Sequence, residues 1–129
     1  MITFAILALL SMSTTYPRPS VSELNTVPEK YDGKTVTVTG WVVLGEEERF
    51  IVSRKKGYTK WKKGATCLSV INANELNARE DKLNGRKVRL TGVVRANADK
   101  DGSVRLDMCS GTGLDLENES LDGKIEIIE

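Results

Sequence analysis

Histidine is absent from this sequence. Its absence removes the side chain that most often serves as a general base near neutral pH, and also the commonest metal ligand. The expectation is therefore a non-catalytic protein without cofactor or metal, with a small hydrolase as the least favoured class. Cysteine is nearly absent too. Cys67 and Cys109 are too few for a four-ligand zinc site and lack the Cys-x-x-Cys spacing of a redox pair. Net charge is close to zero, with 19 Lys and Arg against 18 Asp and Glu, so no whole-molecule field selects a partner.

No apolar run here spans a bilayer as a helix. The stretch Ile2 to Met12 is too short for that, but it has the length of a signal-peptide core. Ser11-Met12-Ser13 offers a small-x-small cleavage site. No Lys or Arg precedes the run, and a buried N-terminal helix or strand is the alternative. No cysteine follows it, which leaves a lipid anchor unsupported. Residues 1–19 are expected to form a signal segment and linker, with Pro17 and Pro19 excluding regular structure. Residues 20–129 are expected to form one domain with an acidic C-terminal tail. The mature chain would have no integral membrane span and would be secreted or periplasmic; a cytoplasmic location is the alternative.

What the sequence does contain is a matched pair of stretches. Gly33-Lys34-Thr35-Val36-Thr37-Val38-Thr39-Gly40-Trp41-Val42 answers Gly85-Arg86-Lys87-Val88-Arg89-Leu90-Thr91-Gly92-Val93-Val94. Each alternates apolar with polar residues, the period of a half-buried strand. Val36, Val38, Val42 and Leu44 share a face with Gly40; Val88, Leu90, Val94 and Ala96 share one with Gly92. An interior glycine weakens a strand and marks a bend or a close backbone approach. Two long bent strands imply a small closed barrel.

The remaining elements follow from local signals. Ser20-Val21-Ser22-Glu23 reads as a capping box opening a short helix that Pro28 ends, with Val21 and Leu24 facing inward. Further strands are expected at Arg49 to Ser53, Thr66 to Ile71 and Ser103 to Cys109, the last with Val104, Leu106 and Met108 inward. A helix capped by Asn72 or Asn74 should run to about Leu83. Lys124 to Ile128 is one more strand, without an assigned neighbour.

The chain is thus mainly β, a five-stranded Greek-key barrel with a helix between strands 3 and 4 and a short N-terminal helix. That is the layout of the OB-fold. The opening Gly33 to Val43, followed by Phe50-Ile51-Val52, resembles the anticodon-binding type of OB domain, where Gly-Trp-Val closes the first strand. The stretch from Val21 to Cys109 is similar in layout to small exported bacterial OB-fold proteins. It covers about two-thirds of the chain. The resemblance implies a binding module of the nucleic-acid-binding superfamily.

The sharpest functional signal is Arg54-Lys55-Lys56-Gly57-Tyr58-Thr59-Lys60-Trp61-Lys62-Lys63, six cations with two aromatics and no acidic residue. Lys and Arg neutralise phosphates, and Tyr58 and Trp61 can stack on bases at about 1–3 kcal/mol each. The segment joins strands 2 and 3, which form the ligand face of an OB barrel. Trp41, with Phe50 or Ile51, would extend the platform. The expected ligand is single-stranded nucleic acid or another polyanion. A protein or oligosaccharide bound outside the cytoplasm is the alternative, and a solvated basic loop without ligand is the bland account. In an OB barrel strands 3 and 5 are neighbours, so Cys67 and Cys109 are either bridged, as export would favour, or two separate thiols. Residues 113–129 carry an excess of Asp and Glu and would be able to mask the basic segment.

Overall fold

In the computed structural model, residues 15–46, 48–54, 66–98, 109 and 111–129 are described. Among them are a first helix α1 (Val21–Thr26), a 3-10 turn (Pro28–Lys30), and strands β1 (Thr35–Leu44), β2 (Arg49–Val52) and β3 (Cys67–Ile71). Two short helices follow, α2 (Asn74–Ala78) and α3 (Glu80–Leu83), then β4 (Lys87–Arg95), β5 (Gly113–Asp115) and β6 (Ile125–Ile127). The protein is mainly β. Its strands run β1-β2-β3-β5-β4, β4 pairs back onto β1, and the result is a closed five-stranded barrel with β6 added along β4.

The matched stretches of the sequence are the centre of this barrel. β1 and β4 pair antiparallel about Val38 and Leu90, with Val36 opposite Gly92 and Gly40 opposite Val88. The two copies therefore pair with each other around a local two-fold axis, and their hydrogen bonds come in mated pairs. Gly33 N donates to Val94 O at 2.7 Å, as Gly85 N does to Val42 O at 2.7 Å. The Asp32 carboxylate accepts from Ala96 N at 2.9 Å, and the Asn84 side-chain carbonyl accepts from Leu44 N at 2.8 Å. Gly33 and Gly85 sit at φ 77° and 82°, the left-handed conformation that glycine adopts without steric cost. Asp-Gly and Asn-Gly thus make the same turn, and each side chain ties down the end of the other copy.

The interior glycines have mated roles as well. A Cβ on Gly40 would lie 2.4 Å from Val52 O, and one on Gly92 would lie 2.9 Å from Asp115 O. At these points β1 is crossed closely by β2, and β4 by β5. β2 pairs with the second half of β1 as β5 pairs with the second half of β4. The two-fold relation thus reaches segments whose sequences do not match. β3 closes the cylinder, antiparallel to β2 and parallel to β5.

The alternation read from the sequence is the alternation of burial. Val36, Val38, Val42, Leu44, Val88, Leu90 and Val94 all line the core, with Leu24, Ile51 and Leu68 among the residues that fill it. Val21 and Leu24 of α1 are buried as expected, and Ser20 Oγ accepts from Glu23 N at 2.9 Å. The reciprocal half of the capping box is replaced: Glu23 Oε2 accepts from the Tyr31 hydroxyl at 2.8 Å.

Three expectations are revised. The helix after β3 is two short pieces with Arg79 between them, not one helix to Leu83. Neither Asn72 nor Asn74 caps it. Asn72 takes φ 51° and its amide donates to Asp115, while Asn118 Oδ1 accepts from Asn74 N at 3.3 Å. Residues Ser103 to Met108 lie outside the described residues, and the fifth strand in the closed barrel is Gly113–Asp115, inside the expected tail. Leu114, Leu116 and Leu121 are buried in the core. That segment is part of the barrel, so it is not a detachable mask. The previously unassigned strand at the C-terminal end lies on β4, Val88 opposite Ile127.

Asp115 shows how the closing strand is held. Its Oδ1 accepts from Asn72 Nδ2 at 2.9 Å and from Glu117 N at 2.7 Å, and its Oδ2 accepts from Arg95 Nε at 3.0 Å. Burial pushes its carboxyl up, but these donors outweigh burial and hold it below the ordinary carboxylate value. One carboxylate thereby joins β4, β5 and the turn after β3.

Candidate functional site

The basic connection between β2 and β3 leaves the barrel from a well-defined root. Val52 pairs with Cys67, the last cross-strand pair, and Ser53 N donates to Thr66 O at 3.3 Å. Arg54 is exposed at the start of the connection. Lys55, Lys56, Tyr58, Lys60, Trp61, Lys62 and Lys63 lie outside the described residues, as does the N-terminal apolar run Ile2 to Met12. Cys67 and Cys109 form a disulfide with a Cα–Cα distance of 5.5 Å. Cys109 belongs to the connection between β4 and β5, so the bridge fastens that connection to the foot of the basic one.

Around the bridge lies a second apolar cluster, on the outer face of the barrel. Phe50, Val52, Cys67 and Cys109 are buried there, with Trp41 and Val43 packed against them. β2 and β3 are consequently buried on both faces. Ile51 points into the barrel and Phe50 into the outer cluster, which leaves neither ring nor side chain open for stacking. Trp41 is half-buried, and Lys87 Nζ lies 4.9 Å from the centroid of its ring, a cation–π contact across the β1–β4 ladder. Of the residues proposed from the sequence, Trp41 and Arg54 are therefore placed, Trp41 on β1 opposite Val52 and Arg54 two residues beyond Val52.

No family model, curated protein or solved structure matches the chain.

A concave feature lies elsewhere on the barrel, and the sequence does not announce it. It is a cleft of about 410 Å³ over the first half of β1. Thr37, Arg89 and Thr91, outward residues of β1 and β4, line it together with Thr15, Tyr16 and Arg18 on one side and Gly123 to Glu126 on the other. The first wall is held by Thr37 N donating to Pro17 O at 2.9 Å; the second by the β4–β6 pairing, with Arg89 opposite Glu126. Four separated segments build it, and no contiguous motif announces it. Among the described residues, no group of three or more Cys, Asp or Glu is placed to hold a metal ion, and no helix is long and apolar enough to cross a membrane.

Proposed function

We propose that the chain is a non-catalytic OB-type binding module that takes single-stranded nucleic acid or another polyanion on the basic connection between β2 and β3. The closed five-strand order, with α2 and α3 between β3 and β4 in the chain, supports the OB-type Greek-key assignment. The observation that carries the function is the cross-linked root. Six cations and two aromatics between Arg54 and Lys63 spring from a strand pair that a disulfide ties to the neighbouring connection. A fixed root lowers the ordering cost of binding. Because the outer face of β2 and β3 is filled by apolar packing, the cations with Tyr58 and Trp61 would make the contacts.

The test is titration with a fluorescent oligothymidylate and with heparin over a range of salt concentrations. Each lysine that neutralises a phosphate on a single strand contributes about 0.7 to the slope of log K against log salt. Changing Lys60, Lys62 and Lys63 to Ala should weaken oligonucleotide binding and lower that slope by about 2. Binding indifferent to salt and to these substitutions refutes the proposal. The disulfide favours a second reading, an exported domain that binds a protein or an oligosaccharide. That reading predicts capture of an uncharged glycan or protein with little salt dependence.

A further inference from the structure

The cleft over β1 and β4 carries chemistry that the basic connection does not share. Its lining includes Arg18, Arg89 and Lys124 against a single carboxylate, Glu126. Glu126 Oε1 accepts from Arg89 Nη1 at 3.1 Å, and Lys124 pairs with Glu119, which is not part of the lining. Arg18 has no ion-pair partner among the described residues. Between the walls, the Thr37 and Thr91 hydroxyls lie 2.8 Å apart. Whichever of the two donates, the proton of the other is uncommitted, so this pair always leaves one O–H for a ligand. Tyr16, 40% exposed, adds an aromatic ring and a phenol at the lip. The lining sets three cations and four hydroxyls against one carboxylate.

We infer that this cleft is a binding site for a small molecule carrying a compact oxyanion, a phosphate or sulfate monoester. Guanidinium groups grip such tetrahedral oxyanions with charge-assisted hydrogen bonds. The volume lies within the range of small-molecule pockets, about 300–1,000 Å³, and exceeds what a bare phosphate fills. The oxyanion therefore sits between Arg18, Arg89 and the threonine hydroxyl, and a sugar-sized body extends toward Tyr16. The site shares no residue with the basic connection and stands or falls separately from it.

The experiment is a two-dimensional amide NMR titration of the full chain with three probes: inorganic phosphate, glucose 6-phosphate and glucose. Glucose 6-phosphate should shift the amides of Thr37, Arg89, Thr91 and Lys124 saturably. Inorganic phosphate should shift the same amides more weakly, and glucose should shift none. Arg18→Ala, at an exposed position without an ion pair, should keep the fold and cost about tenfold or more in affinity for glucose 6-phosphate. The K60A/K62A/K63A variant should bind as the parent does. Shifts scattered over the surface, loss of binding in the triple lysine variant, unchanged affinity in Arg18→Ala, or no response to either phosphate each overturn the assignment.

Discussion

Removing the Cys67–Cys109 bridge by substituting both cysteines with alanine tests how firmly the root of the basic connection is held. Alanine is chosen because serine would leave hydroxyls in an apolar cluster. The bridge joins residues 42 positions apart. Chain-entropy reasoning gives about 4 kcal/mol for a loop of that length, by restricting the unfolded ensemble. For a domain of this size the melting temperature should fall by roughly 15 °C. With a urea slope of about 1–3 kcal/mol per molar, the unfolding midpoint should fall by about 1–4 M. Intrinsic tryptophan fluorescence reports the transition, with the oxidised parent and the double variant compared side by side. Because Cys67 and Cys109 are 0% and 5% exposed, thiol release from the native parent under mild reductant should track unfolding rather than simple solvent attack. Oligonucleotide affinity should also drop, since the connection loses its fixed foot. A double variant within about 1 kcal/mol of the parent, or free thiols in unreduced protein from an oxidising compartment, refutes the reasoning.

Two further outcomes follow from the barrel. Gly40→Ala places a Cβ 2.4 Å from Val52 O and 2.9 Å from Ile51 Cγ1, which forces β1 and β2 apart. It should cost about 1–3 kcal/mol in chemical denaturation, and a wild-type midpoint would show that the crossing is looser than described. The Asp115 carboxyl, held below its ordinary value, contributes stability that is complete above the unfolded pKa of about 4 and is lost as pH falls through the lower folded value. Asp115→Asn should cost about 1–3 kcal/mol at neutral pH and flatten the acid dependence below about pH 4; identical acid profiles for the two proteins would count against it.

The strands that can be read from sequence are those with one wet face. β1 and β4 alternate strictly between buried and partly exposed residues, and their inward sets were legible one by one. β2 and β3 lose that signal because the outer cluster around the disulfide buries their second face, so alternation does not choose between Phe50 and Ile51 as the outward residue. β5 has three residues, all buried, and sits within an acidic stretch, so neither period nor composition marks it. Local signals alone favour one continuous helix to about Leu83 after β3. Its break at Arg79 and its cap from Asn118 depend on contacts distant in sequence. The basic connection is contiguous and visible at once, whereas the oxyanion cleft is assembled from positions between Thr15 and Glu126.

The self-matching ladder also sets the order in which this chain can fold. Thr37 and Thr91, which touch one step from its centre, are 54 residues apart. Closing so long a loop precedes any gain from the pairing, the situation in which folding is slow and topology governs its rate. While the chain is still being made, β1 has its apolar face and much of one edge waiting for β4. Without Leu114, Leu116 and Leu121 the cylinder lacks its closing strand and part of its core, so closure needs residues from both ends of the described chain.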